Sequence, residues 1–215
     1  MIDAVVFDLD GVIIRSEEVW DEVRERYVRE RGGRYDGEAQ RAMMGMSAPE
    51  WSRFIHDQLG VATPPEQINL DVVELMRERY LEELPLIPGA RDAVERMADR
   101  FPLGLASSSN RPLIAAVLEL SGLAPLFRAA VSSEEVPRGK PAPDVYVEAA
   151  RRLDVPPERC AAVEDSHSGI RSAKAAGMRV VALPNPAYPP DEAALAEADV
   201  VLSSIAELTP DTVVR

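Results

Sequence analysis

The stretch Phe7-Asp8-Leu9-Asp10-Gly11-Val12 sets two carboxylates one residue apart and follows them with a glycine free to take unusual backbone angles. Such a pair suits a nucleophile with a general acid/base beside it. The same residues also suit an Asx turn with the second acid in solvent. A second acid pair, Glu164-Asp165, either caps a helix or joins the first pair. Should the two converge, Asp8, Asp10, Glu164 and Asp165 would crowd several carboxylates together, which raises pKa values or recruits a cation. Hard oxygen donors with a phosphate nearby favour magnesium. Ser107-Ser108-Ser109-Asn110 offers hydroxyl and backbone donors just before a helical pattern, as a cap or as a seat for an anion. Lys140, in Arg138-Gly139-Lys140-Pro141, is either a solvated surface charge or a cation placed to neutralise phosphoryl oxygens.

These four stations follow short apolar runs, and that placement gives them weight. Strands are predicted at 4–7, 102–106, 129–132, 160–164, 179–183 and 199–202, with helices at 91–100, 111–121, 143–153 and 168–176. Alternation of this kind predicts an α/β fold, a Rossmann-like parallel sheet with crossover helices, whose ligands lie beyond the carboxyl ends of the strands. Residues 16–84 break the rhythm with helical, Arg- and Glu-rich text. They read as an inserted α-helical cap domain, leaving 1–15 and 85–215 as the catalytic core. Val19, Val23 and Tyr27 recur at one-turn spacing beside Trp20, and Gly32-Gly33 ends that helix. The arginines from Arg24 to Arg34, interleaved with Glu, read as a solvated helix face.

Composition narrows the partners. The 215-residue chain is 46% hydrophobic and carries a formal net charge of −13, so a sequence-independent grip on nucleic acid or on an anionic membrane is not expected. No apolar run approaches the ~20 residues that span a bilayer. Cys160 is the single cysteine, which leaves no intramolecular disulfide and no thiolate metal site. The first residues lack the pattern of an export signal, and a cytoplasmic location is expected.

With Asp8-x-Asp10, Ser107, Lys140 and Glu164-Asp165 in this order and spacing, the chain resembles the haloacid dehalogenase superfamily. The flanking text Gly139-Lys140-Pro141-Ala142-Pro143-Asp144 and Val163-Glu164-Asp165-Ser166-x-Ser168-Gly169-Ile170 is similar to the subgroup with β-phosphoglucomutase and small sugar-phosphate phosphatases. The resemblance implies Asp8 as nucleophile, Asp10 as general acid/base, and Ser107 with Ser108 and Lys140 as phosphate binders. It also implies a Mg2+ ion on Asp8, Asp165, the Asp10 carbonyl and Glu164, the last directly or through water. The function implied is hydrolysis of a small phosphorylated metabolite. A phosphosugar mutase and an idle phospho-ligand binder are the alternatives. Trp20 stands where the mutase cap carries a histidine, and Gly45-Met46-Ser47 is followed by Ala48 where the mutase carries an arginine that grips a second phosphate. Both departures favour hydrolysis. Ser16-Glu17-Glu18-Val19-Trp20 is similar to the cap start of hexose-phosphate phosphatases, except that Arg15 replaces an Asp. Trp20 and Ser47 are thus candidates for cap specificity. His167 is expected to be a solvated loop residue and His56 to lie on the cap surface. No motif specifies the oligomeric state.

Overall fold

A computed structural model describes residues 1–43, 46–186 and 189–214. Its centre is a six-stranded, all-parallel sheet in the order β3-β2-β1-β4-β5-β6. The strands are β1 (Ala4–Phe7), β2 (Leu103–Ser107), β3 (Phe127–Ser132), β4 (Cys160–Glu164), β5 (Arg179–Ala182) and β6 (Val200–Val201). The predicted Rossmann-like α/β core is therefore present, with strand ends displaced by at most two residues from the sequence reading.

Alternation along β1 explains why the sheet is covered on both sides. Val5 and Phe7 face one hydrophobic cluster, whereas Ala4 and Val6 face another. The first cluster takes in α5 (Ala90–Ala98) and α6 (Arg111–Leu120) through Ala93, Val94, Met97, Leu113, Ile114 and Val117. The second takes in α7 (Asp144–Leu153) and α8 (His167–Ala175) through Val145, Tyr146, Ala149, Ile170 and Ala173. The remaining core helices are α9 (Glu192–Glu197) and α10 (Pro210–Val214).

Between β1 and α5 stand four helices: α1 (Glu17–Glu30), α2 (Gly37–Met43), α3 (Ala48–Leu59) and α4 (Pro65–Glu82). Val19, Val23 and Tyr27 do point inward from α1, as their spacing predicts. With Ile55, Ile68, Val72 and Met76 they belong to the same apolar cluster that covers the Val5 and Phe7 face of the sheet. The chain enters and leaves it side by side. Ile14 and Leu86 form an antiparallel bridge, Arg15 N donates to Pro85 O at 2.8 Å and Ile87 N donates to Ile13 O at 3.0 Å. None of the described helices is long and apolar enough to cross a membrane.

Candidate active site

Asp8 is the first residue beyond β1, and Glu164 is the last of β4, the neighbouring strand. Parallel register makes their meeting unavoidable, because Phe7 pairs with Val163 and Asp8 N donates to Val163 O at 2.9 Å. Lys140 arrives from the loop before α7. Its Nζ donates to Asp8 Oδ1 at 2.6 Å and to Glu164 Oε1 at 2.5 Å, with the three side chains only 4%, 7% and 0% exposed. Lys140 is therefore no solvated surface charge. Burial by itself would lower its pKa, but Asp8 and Glu164 outweigh that and hold it above the usual lysine range.

Asp8, Glu164 and Asp165 each bring a carboxylate oxygen within 4.8 Å of the others. Burial is the main force raising Asp8, to about 8, with Glu164 and Asp10 adding to it and Lys140 opposing. Asp165 is likewise raised, chiefly by burial and then by Glu164 and Asp8. No hydrogen bond reaches the Asp165 carboxylate among the described residues. Gly11, at φ +78°, lets the backbone pass directly under it, since a Cβ there would collide with Asp165 Oδ2. Crowded carboxylate oxygens of this kind at the floor of a cavity fit a hard cation such as magnesium.

Glu164 is hydrogen-bonded on both carboxylate oxygens. Lys140 Nζ and Tyr146 Oη donate to its Oε1, while Asp165 N, Ser166 N and Ser166 Oγ donate to its Oε2. Through these bonds Glu164 anchors Lys140 while it stands in the carboxylate group with Asp8 and Asp165. Gly169 serves this arrangement, because a Cβ there would strike the Glu164 carboxylate. Tyr146, read from sequence only as a core position on α7, belongs to the site through that hydroxyl.

Asp10 accepts from Ser16 Oγ at 2.5 Å, Ser109 Oγ at 2.7 Å and Ser107 Oγ at 3.2 Å. Ser107, expected to face phosphate, is instead fully buried at the end of β2; its Oγ also accepts from Ser109 N at 2.9 Å. Ser108 is exposed and lines the cavity together with Ser109. Ser16 and Ser109 were missed as partners of Asp10, since single hydroxyls carry no spacing signal.

The cavity, of about 240 Å³, opens between the carboxyl ends of the strands and helices α1–α3, with Asp8, Asp10, Lys140 and Asp165 at its floor. Trp20, Arg24 and Trp51 form part of its opposite wall. Trp20 both packs and lines: its ring lies 5.9 Å from that of Trp51. Ser47 does not line the cavity; its N and Oγ donate to Glu50 at 2.7 and 2.6 Å at the start of α3, and these bonds lower the Glu50 pKa. Its neighbour Gly45, part of the same sequence comparison, lies outside the described residues. Arg24 departs from the solvated face expected for its run, whereas Arg26, Arg29 and Arg31 do pair with Glu or Asp near the surface. His167 is exposed at the cavity rim, Arg15 is exposed, and His56 Nδ1 sits 2.9 and 3.0 Å from the carbonyls of Val61 and Thr63.

The model of the haloacid dehalogenase-like hydrolases matches residues 2–177. The chain belongs to the haloacid dehalogenase-like hydrolases. Within that family it is 34% identical over 228 residues to hexitol phosphatase B of Escherichia coli strain K12, covering 96% of this chain and 94% of that one. It is 29% identical over 206 residues to the bifunctional riboflavin kinase/FMN phosphatase of Arabidopsis thaliana, covering 95% of this chain but spanning only 54% of that longer protein. Solved structures of CbbY from Rhodobacter sphaeroides match over 99% of both chains at 30% identity. TM-scores are 0.89 for the complex with phosphate and 0.88 for a mutant with xylulose-(1,5)-bisphosphate.

Proposed function

We propose that this haloacid dehalogenase-like hydrolase is a magnesium-dependent phosphatase that hydrolyses a small phosphate monoester, a sugar phosphate or similar metabolite, through a phosphorylated Asp8. The observation that carries the reading is the buried Asp8–Lys140–Glu164 chain at the floor of the cavity. Lys140 fixes one oxygen of Asp8, which leaves the other to attack phosphorus. Asp10 protonates the leaving alcohol, and then takes a proton from the water that hydrolyses the aspartyl phosphate. Its three hydroxyl partners set its position before substrate arrives. Ser108, exposed at the end of β2, donates to the phosphoryl oxygens, with Lys140 as the cation beside them.

Asp8, Asp165 and the Asp10 carbonyl would hold a magnesium ion, which would neutralise charge on the phosphate and among the crowded carboxylates. Residues 16–84 act as a cap over a core made of 1–15 and 85–215, excluding bulk water during transfer. The names of relatives, hexitol phosphatase among them, support a small phosphorylated substrate.

The test is phosphate release. Asp8→Asn keeps the shape of the side chain and should abolish turnover of any monoester that the wild-type protein accepts. Chelation should do the same reversibly, with magnesium restoring activity. Full activity in Asp8→Asn would exclude Asp8 as nucleophile.

A further inference from the structure

Arg24 stands one helical turn after Trp20 on α1 and faces the cavity. Its guanidinium carbon lies 4.4 Å from the centroid of the Trp20 ring and 4.8 Å from that of Trp51. Its Nε is shut off from solvent without a hydrogen-bond partner, and among the described residues no carboxylate or carbonyl pairs with the group. Burial is the main influence on it, drawing its pKa down to about 10 against the pull of Tyr35, Asp21 and Asp10. Arg24 is half-buried, and its Nε, stacked between the two rings with no hydrogen-bond acceptor, leaves part of the guanidinium's donor capacity unmet. A ligand that brings oxygen atoms to the group meets that capacity.

The neighbouring charges decide which oxygens. Asp21 is the carboxylate nearest Arg24, while Glu17, which also lines the cavity and whose Oε2 is buried without a partner, lies toward Asp10 and Asp165. A second phosphate at Arg24 would meet Asp21 directly and, further in, the carboxylates of Asp10, Glu17 and Asp165. Hydroxyl groups meet no such repulsion, since they accept from a guanidinium and donate to carboxylates. The tryptophan faces supply apolar surface for the C–H bonds of a carbon chain.

We propose that Arg24 is a specificity-determining residue. It donates to hydroxyl oxygens of an uncharged, polyhydroxylated leaving group held against Trp20 and Trp51, and a second anionic group on the substrate is disfavoured. The proposal rests on the phosphatase reading above and names what that site selects.

Arg24→Met keeps a long unbranched side chain between the tryptophans and removes the donors. Its kcat/KM is compared with that of the wild type on sorbitol 6-phosphate, 6-phosphogluconate and p-nitrophenyl phosphate. The wild type should prefer the hexitol phosphate to the phosphogluconate. The variant should lose about 10–100-fold on the hexitol phosphate, the value of hydrogen bonds from a charged donor, and about tenfold less than that on the aryl phosphate. An equal loss on both overturns the proposal. So does a wild-type preference for 6-phosphogluconate that the variant erases. If Arg24→Met does not fold, Arg24→Lys, which keeps charge but loses the planar fork, carries the same comparison. Failure of the phosphatase reading looks different, because the wild type with magnesium would then release no phosphate even from the aryl ester. Calorimetric titration with sorbitol 6-phosphate decides Arg24 in that case: weaker binding by the variant supports the proposal, and equal binding overturns it.

Discussion

Asp10 accepts three hydroxyl hydrogen bonds, from Ser16, Ser107 and Ser109, and these come from the start of α1 and from the end of β2. A side chain held this way is positioned by two separate segments, which suits a group that must meet a leaving oxygen at a set place. Asp10→Asn preserves shape and an acceptor oxygen but cannot deliver a proton. On an alkyl phosphate it should cost about 10²–10⁴-fold in kcat/KM. On p-nitrophenyl phosphate, whose leaving group needs little protonation, the loss should be far smaller. Measuring both esters with one variant checks the role, and equal losses would count against Asp10 as general acid.

At the scale of elements, the far side of the sheet is tied together by Asp199, just before β6. Its Oδ2 accepts from Val180 N at 2.7 Å on β5 and from Lys174 Nζ at 3.1 Å on α8. Burial pushes the Asp199 pKa upward, but the Val180 N–H and the Lys174 ammonium outweigh it and leave the group below its usual value. A carboxylate with a depressed folded-state pKa contributes stability above its unfolded-state pKa, and loses it as pH falls through the folded value. Asp199→Ala should therefore cost about 1 kcal/mol near neutral pH, a figure already modest because the pair is partly exposed. The gap from wild type should narrow between neutral pH and about pH 2.5, because Asp199 is protonated progressively as pH falls through its lowered folded-state value. Urea unfolding at both pH values checks this, and a gap that stays constant would remove Asp199 as its cause.

For the whole molecule, the paired connections at Ile13–Arg15 and Pro85–Ile87 make one short ribbon between the sheet and α1–α4. Two amides join the halves elsewhere: Asn185 Nδ2 donates to Glu17 Oε1 at 3.1 Å, and Asn110 Nδ2 donates to Asn69 Oδ1 at 3.1 Å. A few such bonds are weak enough to break when a cap opens. The cavity presents Trp20, and Ala48, buried outside its lining where the mutase pattern has a second-phosphate arginine, brings no cation to it. Incubation with β-glucose 1-phosphate and a trace of glucose 1,6-bisphosphate should accordingly yield inorganic phosphate or no reaction. Efficient conversion to glucose 6-phosphate without phosphate release would restore the mutase.

Local pattern determined the strands, the core helices and the stations at their ends, because apolar period and turn chemistry act over a few residues. From these alone Asp8, Asp10 and Glu164-Asp165 could be set at strand ends and Lys140 in the loop before α7, and residues 16–84 could be read as a run of helices. Partner choice was beyond that reach. Ser107 turned inward to Asp10 because it closes a strand, and Glu164 was filled by Tyr146, Lys140 and its own following turn. Arg24 lies at i+4 from Trp20, a spacing visible in the sequence, yet its charge among other arginines and glutamates read as solvent-facing. Only the packing of α3 against α1, which brings Trp51 to the other side of that guanidinium, decided that it points into the cavity. Helical periodicity says which residues share a face, while the tertiary fold alone says what that face meets.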